Sequence, residues 1–140
     1  MKYLCFCFLT VFCCTWLAEA RITRIGKMTV ENLEEIGFEA GSRTLYGLAS
    51  YYADKYEGKP TATGEPYDHN KFTAACNVLP LGTWIRVTNI INSRSVVVRT
   101  NDRLHIKVKR IVDLSRIAAE QLGYTKRGLT QVKVEVLEKK

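Results

Sequence analysis

Asp102 stands in a run of side chains that can carry charge or titrate: Arg99, Asp102, Arg103, His105, Lys107, Lys109 and Arg110 fall within the twelve residues from Arg99 to Arg110. A carboxyl group there can act as a general acid and then a base if burial or a second acid holds it protonated, while neighbouring guanidinium groups favour its charged form. The cluster also suits a solvated connection between two strands, because ionisable groups mark functional sites only statistically. A second acid, Glu65, lies at the centre of Asp54–Asn70, a stretch of 17 residues carrying Gly58, Pro60, Gly64 and Pro66. Pro66 biases Glu65 toward an extended backbone that projects its side chain outward, and so long a connection is commonly functional. An ordinary exposed turn glutamate is the plainer alternative. His69 follows Glu65 by four residues and His105 follows Asp102 by three. Each is a proton-transfer candidate or a simple loop histidine. No metal and no cofactor is expected.

The elements that must position these acids are short strands. Val96, Val97 and Val98 are β-branched and stiff, and Ile111, Val112 and Leu114 repeat that chemistry after the charged insert, so two core strands are predicted with Asp102 at the end of the first. Thr83–Ile90 has strand composition, and the turn residues Asn92 and Ser93 predict that SVVVRT returns as its antiparallel hairpin partner. GLASYYA, from Gly47 to Ala53, reads as a strand with close backbone contacts whose Tyr51 and Tyr52 belong to core or groove. SRIAAEQLG predicts a two-turn helix closed by Gly123 in the left-handed conformation, with Asp113 or Ser115 as its N-terminal cap. Val132, Val134 and Val136 alternate with Lys133 and Glu135 as a half-buried closing strand. Short strands, one helix and frequent turns indicate a small β-barrel.

Lys2, the 16-residue apolar run Tyr3–Ala18 and the closing Ala18, Glu19, Ala20 form a signal-peptide pattern with cleavage after Ala20. That run is shorter than the roughly 20 residues a membrane-spanning helix needs. The expected product is exported to the periplasm or cell envelope; a lipoprotein form anchored through Cys13 or Cys14 is the second reading. Removing residues 1–20 leaves Cys76 as the lone thiol, so an internal disulfide is excluded and the fold must rest on its core. Residues 21–45 are expected to form an N-terminal extension broken at Gly41 and Ser42, and 46–138 the single barrel domain. The net charge of +7 is unchanged by cleavage, because Lys2 and Glu19 leave together. Such a surface favours an anionic partner, and export makes nucleic acid the least suitable one.

GLASYY, TATGEPYD, FTAAC, LPLGTWIRVTN, RSVVVRTNDR, RIVDLSRIAAEQLG and VKVEVL, in this order over about residues 46–137, resemble successive blocks of the RlpA (rare lipoprotein A) family. The resemblance implies a mainly β fold, a six-stranded double-psi β-barrel with one or two short helices. It also implies lytic transglycosylase activity on peptidoglycan, cleaving MurNAc–GlcNAc bonds, preferably in strands lacking stem peptides, with 1,6-anhydro-MurNAc formation. The family's catalytic glutamate falls on Glu65 and its aspartate on Asp102. Two departures stand out: the family histidine is replaced by Cys76, and the Gly-Pro-Phe that usually follows NDR is Leu104, His105 and Ile106.

On that basis Asp102 is expected to protonate the glycosidic oxygen and then take the proton of the C6 hydroxyl, with Glu65 supporting positive charge or orienting that hydroxyl and its mobile loop closing over the sugar. Cys76 cannot replace imidazole simply, since a thiol titrates near ~8.5 against ~6.5 and bonds hydrogen weakly; it reads better as a small buried hydrophobe. His105 could take the missing imidazole's place. Arg99 and Arg103 are candidates for binding lactyl carboxylates, and Tyr51 and Tyr52 for stacking on sugar rings. A non-catalytic, expansin-like wall-binding module is the alternative function. A structural protein acting through partners is a third, its protein partners being unreadable from sequence.

Overall fold

The computed structural model describes residues 38–139. Six strands, β1 (Phe38–Tyr51), β2 (Thr73–Ala75), β3 (Trp84–Asn89), β4 (Ser95–Asp102), β5 (Val112–Leu114) and β6 (Thr130–Lys139), close into a barrel in the order β1-β5-β2-β4-β3-β6. Among the described residues, one α-helix, α1 (Arg116–Leu122), and a 3-10 turn at Asp54–Tyr56 complete the elements. The fold class is the one the resemblance implies. The predicted hairpin is present, Val87 opposing Val96 and Ile85 opposing Val98. The signal peptide and the first part of the expected extension lie outside the described residues.

β1 begins at Phe38 rather than near Tyr46 and pairs with β6 along its length. Gly41 and Ser42 do not end the domain; they lie in a register shift between Ala40 and Thr44, a bulge that bends the strand without breaking its pairing. Gly47 shows the close contact expected of it, because a Cβ there would come within 2.6 Å of the Ile111 side chain. Inside the barrel, Ile85, Val87, Val96, Val98, Val112, Leu114, Val132 and Val134 are almost completely buried. Alternation sends Val97 to the opposite face of β4, where Leu137 and Trp84 cover it. Helix α1 buries Ala118, Ala119 and Leu122 and ends, as expected, at Gly123 with φ of 75°. Among the described residues, no helix is long and apolar enough to cross a membrane.

Two crossovers position the chemistry. β2 lies between β4, to which it runs parallel, and β5, to which it runs antiparallel, so Ala75 has Asp102 on one side and Asp113 on the other. The β2/β4 register slips between Ala74, opposite Thr100, and Ala75, opposite Asp102, leaving Asn101 as an extra residue. Such bulges re-aim side chains at strand ends.

Candidate active site

Above Ala75 opens a groove of about 820 Å³, with Asp102 and Asp113 in its lining. Tyr51, Tyr52 and Tyr56 line it together with Leu104, His105 and Val108. Lys55, Lys59, Arg103 and Arg110 also line it, so four cations accompany the two acids of the groove. This volume is that of a typical ligand site.

Asp102 is fixed by three hydrogen bonds. The amides of Ala62 and Arg103 donate to Oδ1 at 2.9 and 2.8 Å, and the Tyr52 hydroxyl donates to Oδ2 at 2.7 Å. The first of these comes from the Asp54–Asn70 loop, which is stitched rather than loose. Within it Pro60 bridges Pro66, the Thr61 amide donates to Glu65 O at 2.8 Å, and the Tyr67 amide to Lys59 O at 2.7 Å. The Thr63 amide ties it to Asn101 O on β4 at 3.1 Å. A connection that satisfies much of its backbone hydrogen bonding internally and on β4 stands beside Asp102 as a wall of the site.

Glu65 faces the other side of the β4 terminus. Arg99, two residues before the extra residue Asn101, donates from Nη2 to Glu65 Oε1 at 2.7 Å, and Asn101 Nδ2 approaches Oε2 at 3.4 Å. The Arg99 bond, then that of Asn101, holds the Glu65 carboxyl below its ordinary range. Arg99 thus meets Glu65 within the protein, whereas the sequence suggested a partner for substrate.

Asp113 does not cap α1. It sits in β5, two positions ahead of the cap residue Ser115, and its carboxylate takes both Nε and Nη2 of Arg110 at 2.8 and 3.0 Å. Strand geometry through Leu114 turns the side chain to the groove instead of the helix terminus. Ser115 occupies the cap position but makes no side-chain capping bond.

Cys76 is 1% exposed and packs in the core with Ala74 and Leu79, matching its reading as a small hydrophobe. Its amide donates to Asp102 O at 3.1 Å, and its carbonyl accepts from Arg103 Nη1. The same guanidinium nitrogen reaches Leu79 O at 2.6 Å, so Arg103 clamps the turn after β2 while lining the groove. His105 is exposed on the groove wall, its Nδ1 accepting from the Lys107 amide at 3.3 Å. It does not enter the space near Cys76.

Tyr51 is half-buried, donating to Thr125 O at 3.0 Å and meeting Tyr124 edge-on, which makes it as much a core residue as a groove residue. Tyr52 stacks on Tyr67 with centroids 4.3 Å apart and meets Tyr56 edge-on at 5.7 Å. Burial, then the hydrogen bond to Asp102, raises the Tyr52 phenol well above its usual value. Burial likewise pushes Tyr67 up to about 12.

Sequence reasoning missed Asn101 and Tyr67. Tyr67 follows Pro66 directly and is 3% exposed, bonding His69 Nδ1 through its hydroxyl at 2.9 Å. His69 Nε2 lies 3.5 and 3.4 Å from Asp54 and Glu57, so it braces the loop rather than serving Glu65. An aromatic two residues after the candidate acid was the available signal. Among the described residues, no group of three or more His, Cys, Asp or Glu side chains could hold a metal ion.

Residues 40–134 match the family described as lytic transglycolase. Over 101 residues the chain is 46% identical to the endolytic peptidoglycan transglycosylase RlpA of Haemophilus influenzae, covering 72% of this chain and 35% of that one. Against the Pseudomonas aeruginosa protein of the same name it is 46% identical over 97 residues, 69% of this chain and 28% of the relative. The chain therefore spans about a third of the length of these curated relatives. Among solved structures, Streptomyces papain inhibitor superposes with a TM-score of 0.56 at 22% identity, covering 68% of this chain and 94% of that one. An expansin of Clavibacter michiganensis, in complex with cellohexaose, gives 0.53 at 19% identity, covering 67% and 50%. At such identities these two likenesses concern the barrel alone. The family match across the barrel, with the relatives' identity over the same residues, makes this chain a member of the RlpA-like double-psi β-barrel family described as lytic transglycolase.

Proposed function

We propose that this chain is an endolytic lytic transglycosylase of peptidoglycan, cutting MurNAc–GlcNAc bonds with formation of 1,6-anhydro-MurNAc. The observation that carries the reading is the position of Asp102: a carboxyl group at the bulged end of a strand, in an open groove, bonded to a phenol and two amides while both neighbouring acids are bonded to arginines. Glu65 is held charged by Arg99, and Asp113 is ion-paired with Arg110. Of the three acids, Asp102 is the one whose carboxylate oxygens are bonded to a phenol and amides and not to an arginine side chain.

In the reaction, protonated Asp102 gives its proton to the glycosidic oxygen leaving MurNAc C1. The resulting carboxylate takes the proton of the same sugar's C6 hydroxyl as that oxygen bonds to C1. No water is consumed, so the carboxylate separations that distinguish hydrolase outcomes do not apply. Glu65, ion-paired with Arg99 and outside the groove lining, supports the site by tying the 54–70 loop, whose Ala62 amide holds Asp102, to β4.

Strands lacking stem peptides are the proposed substrate, because each exposes a free lactyl carboxylate that the cations of the groove can pair with. Residues 1–20 are proposed as the leader of an exported, cell-envelope protein. The replacement of histidine by buried Cys76 favours a second reading, a glycan-binding module without catalysis. Digestion of peptide-free glycan strands followed by mass analysis separates the two. Products lighter by one water than hydrolysis products support the lyase, and binding without any new ends supports the module.

A further inference from the structure

Resting on the transglycosylase reading, we propose that Tyr52 is a positioning residue that confines the transferable proton of Asp102 to Oδ2 and aims it into the groove. Oδ1 accepts from two backbone amides, Ala62 at 2.9 Å and Arg103 at 2.8 Å. An amide N–H donates and cannot accept, so Oδ1 stays an acceptor in both protonation states and the proton must reside on Oδ2. Tyr52 Oη meets Oδ2 at 2.7 Å. The hydroxyl oxygen of a carboxylic acid keeps a lone pair, so the Tyr52 hydroxyl donates to Oδ2 in both states of the acid and leaves the acid proton to point into the groove.

The ring is held for that task. Tyr67 stacks against it at 4.3 Å with an interplanar angle of 21°, and Tyr56 meets it at 85°. Its raised phenol keeps the hydroxyl hydrogen in place throughout the working range. The charges that face Asp102 come from each surrounding element: Lys55 and Lys59 beyond Tyr56, Arg103 and His105 after β4, and the Arg110–Asp113 pair at β5. None of these carries a hydrogen bond to Oδ2.

The step balances without a co-reactant. The Oδ2–H bond breaks as the glycosidic oxygen gains the proton and its bond to C1 opens, while Tyr52 keeps donating to Oδ2 of the new carboxylate. Oδ2 then regains a proton from the C6 hydroxyl as C6–O–C1 forms.

The test is the pH profile of anhydro-end release by the native chain, by Tyr52→Phe, and by protein with 3-fluorotyrosine incorporated at Tyr52. Carbon NMR of the Asp102 carboxyl is followed in parallel. Losing the phenol removes a donor that favours the charged acid, so Tyr52→Phe is expected to carry the alkaline limb and the Asp102 titration up by about one pH unit, the worth of one hydrogen bond to a charged group. Its maximal rate should fall by about tenfold. The more acidic fluorophenol donates more strongly and should move both in the opposite direction. Should Tyr52→Phe melt, the fluorotyrosine protein, which keeps every contact, decides alone. Native anhydro-end release with unmoved limbs and an unmoved Asp102 titration overturns the role of Tyr52. Displaced Asp102 titrations in a native chain that releases no anhydro ends confirm the pairing and refute the transglycosylase reading on which the catalytic role depends.

Discussion

Arg99 Nη2 lies 2.7 Å from Glu65 Oε1, an ion pair that ties the 54–70 loop to β4 three positions before Asp102. The pair assigns unlike tasks to the two acids. Glu65 stays charged because of a guanidinium, whereas Asp102 answers to a phenol and two amides.

Replacing Arg99 with Gln should return the Glu65 carboxyl toward the ordinary carboxylate range, measured by carbon NMR titration. Because the folded-state value is lowered, the ion pair contributes stability above the ordinary glutamate range and loses it as pH falls through the lowered value. Denaturant midpoints of native and Arg99→Gln protein should therefore differ at neutral pH and converge in acid.

The Cys76 thiol should resist thiol reagents in the native state and react only on unfolding, since it is 1% exposed within the core. Cys76→Ala should cost about 1 kcal/mol in denaturant unfolding and leave anhydro-end release intact. Rapid native-state labelling would contradict the packing described.

Removing Arg110 leaves Asp113 charged and unpaired in the groove lining. Arg110→Ala should destabilise the fold by about 1–2 kcal/mol, a value reduced from that of a fully buried pair because both partners are partly exposed. The freed negative charge disfavours ionisation of Asp102 and should move the alkaline limb of activity upward. The Arg110→Ala, Asp113→Asn double variant should recover most of both effects.

Ile85 is completely buried inside the barrel and Ile106 is 89% exposed. Ile85→Ala should lower unfolding free energy by about 3 kcal/mol, with the denaturant slope unchanged. Ile106→Ala should stay within about 0.5 kcal/mol of the native protein.

The valines of β4, the Asn92–Ser93 turn and the Gly123 helix end are local signals, and local signals were enough to read those elements. Asp102 at a strand end was legible for the same reason. The pairing of Ala75 with both Asp102 and Asp113 depends on crossovers between strands distant in sequence, which no periodicity reports. Asp113 was misread as a cap because its spacing to the helix is local while its orientation is set by the strand pairing of β5. The Asn101 bulge, set by the pairing of β2 with β4, and the Tyr52–Asp102 bond, which joins residues 50 positions apart, needed the closed barrel to appear.

The most direct measurement is the mass spectrum of products from peptide-free glycan strands treated with the native chain and with Asp102→Asn. The account predicts 1,6-anhydro-MurNAc ends from the native protein and none from the variant, which should still bind the strands and melt within a few degrees of native. Reducing ends formed with water, or undiminished anhydro-ends from Asp102→Asn, would contradict it.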